Sequence, residues 1–143
     1  MIFKRVGRTS AEKVYMVVQN VSGSTLTQGY SCVFDTGANV DGVRVTQAST
    51  TDVQAYAGVA DSSIANNDYG LIQVYGYNPS IYIYSSTGSS ATGDNLVAVG
   101  ANWGVTPATS VGTAKAFGFL CQAITASSSS QYYTTAKAFI RAL

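Results

Sequence analysis

The sequence predicts an all-β protein, a small β-barrel or sandwich of short antiparallel strands and hairpins with an extended N-terminal arm. Valine, isoleucine, tyrosine and threonine are concentrated in short segments, and clusters of glycine, asparagine, aspartate and serine separate these segments. The segments also recur about every ten residues, a spacing typical of small sandwiches and barrels. With 143 residues, the chain is long enough for one domain with a buried core.

Nine segments are predicted to contain strands. In chain order they are "VYMVVQNV" (14–21), "YSCVF" (30–34), "VRVTQAS" (43–49), "DVQAYAGVA" (52–60), "LIQVYG" (71–76), "SIYIYSS" (80–86), "NLVAVG" (95–100), "AKAFGFLCQAI" (114–124) and "TTAKAFIRAL" (134–143). The last two also carry residues at helical spacing, so helices are the alternative there. In the first case the helical stretch would be "TPATSVGTAKAFGFLCQAI" (106–124), which Gly112 and Gly118 interrupt. Residues 137–142 alternate as strand residues do, so a final strand is preferred.

A short recurrence supports the hairpin interpretation. "TLTQGYSCVF", "SIANNDYGLI" and "SATGDNLVAV" each contain a small or apolar residue, a polar turn and then a strand. Gln28-Gly29, Asn67-Asp68 and Gly93-Asp94 are predicted at equivalent turn positions, because these residue types tolerate the positive φ of tight hairpins. The recurrence indicates repeated edge hairpins within one barrel.

Charged side chains are scarce, at 10% of the chain against about 25% in an average soluble domain. A folded chain of this mass exposes on the order of 7,000 Å². The net charge of +1 gives little repulsion between copies. We therefore expect sister subunits or a larger assembly to cover part of the surface, with a weakly charged monomer as the alternative.

The charge is unevenly distributed along the chain. Residues 1–13 have a net side-chain charge of +3, whereas residues 14–143 have four basic and six acidic side chains. We therefore divide the chain into a basic N-terminal arm, 1–13, and a single β-domain, 14–143. The arm carries one apolar pair, Ile2-Phe3. It is either a frayed terminus or an extension that docks on an acidic partner.

The residue types argue against an enzyme. The chain has no histidine, which removes the commonest general base and zinc ligand. Its seven acidic residues mostly stand beside glycine, asparagine or serine, where Asx turns explain them better than a catalytic pair of carboxylates. No catalytic residue, cofactor or metal site is predicted.

Composition also argues against nucleic acid and membrane as partners. The pI is near 7.7 and the body carries no basic stripe, which disfavours nucleic acid. No run approaches the ~18 apolar residues of a membrane span, and the first ten residues lack the apolar region of a signal peptide. We therefore expect Cys32 and Cys121 to be buried thiols in preference to a disulfide pair.

Tyrosines are clustered in the middle of the chain, at Tyr75, Tyr77, Tyr82 and Tyr84. Alternation places Tyr82 and Tyr84 on one face of a strand and the neighbouring isoleucines on the other. Amphipathic rings suit a half-buried contact between subunits, which is the preferred interpretation. A carbohydrate or receptor platform that stacks sugars on Tyr77, Tyr82, Tyr84 and Trp103 is the alternative.

Four stretches resemble segments of the capsid decoration, or cement, proteins of tailed bacteriophages. "GVADSSIANNDYGLIQVYG" (58–76) is similar to their Gly-Val-Ala, Ile, Tyr-Gly-x-x-Gln-Val-x-Gly pattern, and "SATGDNLVAVGANWGVT" (90–106) to their Gly-Asp-x-Leu segment. "AFGFLCQAITA" (116–126) resembles a late strand and "VVQNVSGSTLTQG" (17–29) the first hairpin. The resemblance runs in order from about Val14 to Leu143. Order and spacing carry it, because each motif is short.

The resemblance implies a compact β-barrel that adds, usually as a trimer, to the outside of the icosahedral head and clamps major capsid subunits after expansion. We therefore expect a non-enzymatic virion protein, made in the host cytoplasm and located on the capsid exterior. Its partners would be the major capsid protein and its own copies. A carbohydrate- or receptor-binding module of a head fibre or tail is the alternative. The chain departs from the family because its body is not clearly acidic.

Two sets of residues are predicted to make these contacts. The capsid-binding arm consists of Ile2, Phe3, Lys4, Arg5 and Arg8. The oligomer interface consists of Tyr75, Tyr77, Tyr82, Tyr84, Ile72 and Val74. The resemblance also implies that Gly58 and Gly70 lie where backbone passes close to backbone. The apolar residues of 58–76 would then fill the barrel or the trimer seam.

Overall fold

We describe a computed structural model of the chain over residues 2–4, 12–37, 40–85, 88–108, 115–125 and 132–142. These residues form strands and turns and contain no helix, which confirms the predicted all-β fold class. Both segments with helical spacing contain strands, Gly118–Leu120 and Tyr132–Arg141. No membrane-spanning helix occurs in the described ranges.

The described residues form ten strands. They are β1 (Ile2–Lys4), β2 (Lys13–Asn20), β3 (Ser31–Phe34), β4 (Arg44–Thr46), β5 (Tyr56–Ala60), β6 (Tyr69–Ser85), β7 (Asn95–Ala98), β8 (Val105–Ala108), β9 (Gly118–Leu120) and β10 (Tyr132–Arg141). The sequence pattern does not predict β1 or β8, which are only three and four residues long. It also divides β6 into two segments. The structure joins them through a bulge around Pro79, where the register against β10 shifts.

The strands close into two five-stranded rings that share β6. The first ring runs β2-β4-β3-β5-β6, and β6 closes it by pairing with β2. The second ring runs β6-β8-β7-β9-β10, and β10 closes it by pairing with β6. β6 serves both rings because it is 17 residues long. One pairing in each ring is parallel, β2 with β4 and β6 with β8.

The two rings repeat the same pairing register. Cys32–Gly58, Val33–Thr46, Val59–Gln73 and Val18–Gly70 of the first ring correspond to Leu96–Gly118, Val97–Thr106, Phe119–Phe139 and Ile81–Ala136 of the second. The order of strands around each ring is also the same. The two halves of the chain therefore build the same five-stranded unit twice.

Two of the three recurrent turns follow this repeat, because residues 27–30 precede β3 and residues 91–94 precede its counterpart β7. Residues 27–30, 65–68 and 91–94 each form a turn in which the fourth N–H donates to the first carbonyl, at 3.0, 3.1 and 3.2 Å. The third residue of each has positive φ, as type II turns require: Gly29, Asn67 and Gly93. One predicted pair shifts by a residue, because Gly29-Tyr30, and not Gln28-Gly29, occupies the place of Asn67-Asp68 and Gly93-Asp94. The first two turns connect strands of the first ring and the third precedes β7 of the second ring, whereas the sequence predicted hairpins within one barrel.

Each ring encloses a hydrophobic core. The first core contains Val14, Val18, Leu26, Cys32, Val45, Ala57, Ala60, Ile64, Ile72 and Val74. The second contains Tyr56, Val59, Ile81, Ile83, Leu96, Val105, Phe117, Leu120, Ile124, Ala136, Ala138 and Ile140. β5 links the cores, because Tyr56 and Val59 enter the second core and Ala57 and Ala60 enter the first, on either side of a bulge in this strand. The rings therefore pack as one body around β5 and β6.

Candidate functional site

Five half-buried or exposed aromatic side chains form a continuous line on the surface, which we call the aromatic row. It consists of Trp103, Tyr30, Tyr82, Tyr133 and Tyr84. Successive ring centroids lie 6.0, 4.8, 5.4 and 5.3 Å apart in that order. All four distances lie within the range of favourable aromatic contacts. The row draws side chains from both rings into one surface.

β6 places the middle of the row by alternation. Ile81 and Ile83 are 1% and 0% exposed and belong to the second core, whereas Tyr82 and Tyr84 face the opposite side. This confirms the predicted division of the strand into two faces. Partial burial raises the pKa of Tyr82, and the neighbouring Tyr30 and Tyr133 raise it further.

A cleft of about 240 Å³ lies beside the row. Its lining consists of Tyr30, Gln47, Tyr82, Ala101, Asn102, Trp103 and Tyr133. None of these residues carries a charge at neutral pH. The cleft therefore combines aromatic faces with two side-chain amides, in a surface that favours neutral ligands over ions.

The loop that carries Trp103 is held firmly in place. The backbone carbonyl of Trp103 accepts hydrogen bonds from both the N–H and the hydroxyl of Ser31, at 2.8 and 2.9 Å. Ala101 has a φ of +57°, a left-handed conformation that costs a non-glycine residue about 1 kcal/mol or more. Its N–H donates to the carbonyl of Ala48, which helps to hold this conformation.

Asn102 fixes the other side of the cleft. Its side-chain oxygen accepts a hydrogen bond from the N–H of Gly104 at 2.9 Å, and its amide nitrogen donates to the hydroxyl of Tyr133 at 3.3 Å. An amide NH₂ has two hydrogens, so one of them is left for another partner. The side chain of Gln47 makes no hydrogen bond to another described residue. The side-chain amides of Asn102 and Gln47 can therefore form further hydrogen bonds to a ligand in the cleft.

A second aromatic group lies on the same sheet beyond the bulge, and we call it the β9–β10 surface. Tyr75 packs edge-on against Phe139 with the centroids 5.2 Å apart. Phe119 stacks on Phe139 at 5.4 Å, and the guanidinium carbon of Arg141 lies 5.7 Å from the Phe119 centroid. Tyr77 pairs with Phe139 across the strands. The four tyrosines predicted as one interface are therefore divided between two aromatic groups.

Two of the predicted interface residues are core residues. Ile72 and Val74 are 0% and 1% exposed and pack inside the first ring. At this point β6 is paired with β2 on one side, and its apolar side chains point into the ring. The prediction that these two residues form the oligomer interface is therefore wrong, because they fill the barrel and leave almost no surface for a partner.

The predicted arm lies partly within the sheet. Ile2–Lys4 forms β1, which pairs antiparallel with the first residues of β2. Arg5 and Arg8 lie outside the described residues. Val14 and Tyr15 of β2 therefore have β1 on one side and β6 on the other.

The prediction that Gly58 and Gly70 lie where backbone passes close to backbone holds at one of the two positions. A Cβ on Gly58 would meet the backbone carbonyl of Gln73, so backbone does pass close to backbone there. A Cβ on Gly70 would instead meet the side chain of Ile64, so that glycine makes room for a core side chain.

The acidic residues act mainly in turns, as the sequence indicates. The carboxylates of Asp35, Asp41, Asp52 and Asp94 accept hydrogen bonds from backbone N–H groups two or three residues away. These hydrogen bonds lower the pKa of Asp41. No group of three potential metal ligands occurs among the described residues.

Both cysteines are free thiols in the structure. Cys32 lies fully buried in the first core, and burial raises the pKa of its thiol to about 12. Cys121 is only half-buried, and desolvation raises its pKa as well. A raised pKa disfavours the nucleophilic thiolate, so neither thiol has the environment of an activated nucleophile.

Comparison with known proteins is informative about the fold. No protein-family model matches the chain, and no curated protein matches it significantly. Among solved structures, the crystal structure of the head fiber gp8.5 N base of bacteriophage phi29 is similar, with a TM-score of 0.51 and 15% identity. The match covers 90% of this chain and 93% of that chain. At this identity it shows that the two proteins share an all-β fold over nearly their whole length.

Proposed function

We propose that this chain is a non-enzymatic structural protein of a tailed bacteriophage that binds to the outside of the head. The observation that carries the proposal is the fold it shares with the phi29 head fiber base, which extends over nearly the whole of both chains. The ordered resemblance to capsid decoration proteins supports the same location from sequence alone. The turn roles of the acidic residues support a protein that works by shape and adhesion.

The proposed partner is the major capsid protein, and the proposed contact is the basic arm. The arm offers two apolar side chains and three cations, which suit an acidic and partly apolar groove on a shell. Its first described segment, β1, adds to a ring that is already closed by β2 and β6. Removing residues 1–10, which precede β2, should therefore leave both rings intact.

The proposed assembly is a trimer held by the β9–β10 surface. Tyr75 is 38% exposed although it is part of an aromatic group, and an exposed aromatic group is typical of protein contacts. Three arms on one rigid trimer would bind together, and linked sites can exceed a single contact by roughly 10²–10⁴ in affinity. A weak arm contact is then sufficient for stable attachment.

A co-sedimentation experiment tests the arm. Heads purified from a phage that lacks this protein are mixed with the full chain or with a form from which residues 1–10 are deleted. We expect the full chain to pellet with the heads and the deletion form to stay in solution. Arg44→Gln, which removes a cation from β4 in the first ring and away from the β9–β10 surface, serves as the matched control and should still bind. Equal binding by the deletion form would exclude the arm as the contact.

A stability measurement separates a decoration protein from a fibre base. Decorated heads should release their contents at a higher temperature than bare heads, because clamped capsid contacts must break first. A fibre base that contacts a single capsid subunit would remain bound as the subunits separate, so it should leave this temperature nearly unchanged. Failure of the full chain to bind heads at all would overturn the proposal in both forms.

A further inference from the structure

We propose that the cleft beside the aromatic row is a binding site for a neutral saccharide. This goes beyond attachment to the head and does not depend on it. The site consists of the cleft lined by Trp103, Tyr30, Tyr82 and Tyr133, together with the amides of Gln47 and Asn102.

The chemistry of the lining matches that of a sugar. A pyranose has apolar C–H faces and a rim of hydroxyl groups, so it needs flat apolar surfaces with hydrogen-bonding groups at their edges. The aromatic row supplies the surfaces, and the tyrosine hydroxyls and the two amides supply the edges. The amides of Gln47 and Asn102 have unused hydrogen-bonding capacity among the described residues.

The absence of charge in this lining distinguishes between ligand classes. Sites for single-stranded nucleic acid combine stacking aromatics with a positively charged groove. No lining residue of this cleft is a lysine or arginine, so a polyanion has no counterion here. The lining also lacks a carboxylate, which disfavours a simple cation. Of these ligand classes, the lining therefore favours a neutral ligand rich in hydroxyl groups.

The arrangement of the aromatic side chains also argues against a cage for quaternary ammonium groups. Such a cage needs several ring faces directed at one point. Here Tyr82 stacks on Tyr133 with 12° between the planes, and Tyr30 stacks on Trp103 at 23°, while the other two pairs of the row tilt by 38° and 46°. The aromatic side chains follow one another in a line and do not converge on one point, so their exposed parts form an extended surface that suits a chain of sugar units.

The repeat within the fold shows that the fold does not require these tyrosine side chains. By register, Tyr82 corresponds to Gln19 in the first ring, and Tyr133 corresponds to Asn67. The first ring closes with these two polar residues, which are joined by a hydrogen bond from the Gln19 amide to the Asn67 carbonyl at 3.0 Å. The stacked tyrosines are therefore an addition to the shared fold.

The site is also held in place before a ligand arrives. The Trp103 carbonyl is bonded twice to Ser31, and Asn102 is bonded to Gly104. Ala101 keeps a strained φ of +57° between these anchors. Strain of this kind persists only where the surroundings enforce it, and it is common at binding sites. A rigid platform loses little entropy on binding.

Trp103 is the only tryptophan in the chain, so its fluorescence reports on this cleft. The full-length protein is titrated with neutral oligosaccharides of glucose, galactose and N-acetylglucosamine. Polygalacturonate and tetramethylammonium chloride represent charged ligands. We expect a saturable change in emission with at least one neutral oligosaccharide and none with the charged probes. Tyr133→Ala should weaken binding about tenfold, the effect of losing one stacking surface.

Tyr69→Ala is the matched control, because Tyr69 is 65% exposed on β6 and lies outside the cleft lining. It should bind as the unaltered protein does, and thermal unfolding of both variants checks that they fold. Full binding by a folded Tyr133→Ala variant would place the sugar elsewhere. The proposal is overturned if no neutral saccharide binds, if only a charged probe binds, or if Tyr133→Ala separates protein copies and reveals a subunit contact.

Discussion

Gly58 and Gly118 occupy the same place in the two rings, and at each of them an added Cβ would collide with the backbone carbonyl of the next strand. The carbonyl belongs to Gln73 at Gly58 and to Phe139 at Gly118. Each glycine also lies opposite a fully buried core residue, Cys32 or Leu96. The fold therefore uses the same close approach of strands twice, and no side chain fits at either position.

Gly118→Ala and Gly58→Ala are each expected to lower the free energy of unfolding by about 2 kcal/mol or more, since a backbone carbonyl cannot move aside without separating the strands. Urea denaturation measures this change. Gly37→Ala is the control, because its Cβ would meet only the side chain of Asp35. We expect that variant to stay within about 0.5 kcal/mol of the unaltered protein. Similar losses at all three positions would contradict the argument.

Tyr56→Phe is expected to stabilise the protein by about 1 kcal/mol. The Tyr56 hydroxyl is buried without a hydrogen-bond partner among the described residues, and desolvation raises its pKa well above the ordinary value. Removing an unsatisfied buried hydroxyl recovers its desolvation cost. The phenylalanine ring would still stack on Phe117, as the Tyr56 ring does with the two ring centroids 3.4 Å apart. Thermal and urea denaturation measure the difference. A loss of stability would reveal a bond that this hydroxyl makes.

Much of the local structure could be predicted from sequence. Alternation correctly assigns Ile81 and Ile83 to the core and Tyr82 to the surface, because the side-chain period of a strand is two. Glycine and asparagine mark the turns, because they accept the positive φ seen at Gly29 and Asn67. These signals are local, so they can be read within about ten residues of sequence.

The closure of two rings could not be predicted in this way. It depends on which strand pairs with which, and the pairing of Val59 with Gln73 has no local signature. β6 presents a similar difficulty, because Pro79 is typical of an interruption. The structure accommodates it in a bulge, where the missing N–H breaks no ladder bond.

The candidate site was predictable only in part. The alternative platform correctly grouped Tyr82, Tyr84 and Trp103, but Tyr77 lies beside Phe139 in the other aromatic group. Tyr30 and Tyr133 complete the row, and no sequence pattern connects them, because Tyr30 is the last residue of a turn and Tyr133 lies on the final strand. Only the folded rings bring them together on either side of Tyr82.

The buried thiol of Cys32 is expected to make stability depend on alkaline pH. The thiol ionises near its ordinary pKa of 9.0 in the unfolded chain, but burial raises the pKa to about 12 in the folded protein. Between these values the unfolded state releases a proton that the folded state retains, so stability falls as pH rises. The decline is at most about 1.4 kcal/mol per pH unit, and the full contribution is present below pH 9.

Cys32→Ala isolates this effect, because Tyr56 and other raised groups remain in both proteins. The variant loses packing at every pH, so it should be less stable than the unaltered protein at neutral pH. That difference should shrink as the pH rises above 9, the ordinary pKa of the thiol. Urea denaturation across the alkaline range measures it. A constant difference would show that the thiol does not titrate as its burial implies.

The β9–β10 surface is expected to hold copies of the chain together. Tyr75 is 38% exposed and contacts Phe139 edge-on, so Tyr75→Asp would place a charge within the proposed contact at little cost to the fold. We expect native mass spectrometry to find a trimer for the unaltered protein and monomers for this variant. Tyr69→Asp makes the same change at a residue that is 65% exposed and distant from Phe139 in the strand register. This variant should remain trimeric. If the unaltered protein is a monomer, the trimer is excluded.

Saccharide binding measured through Trp103 fluorescence would not be affected by that result, because the cleft belongs to a single chain.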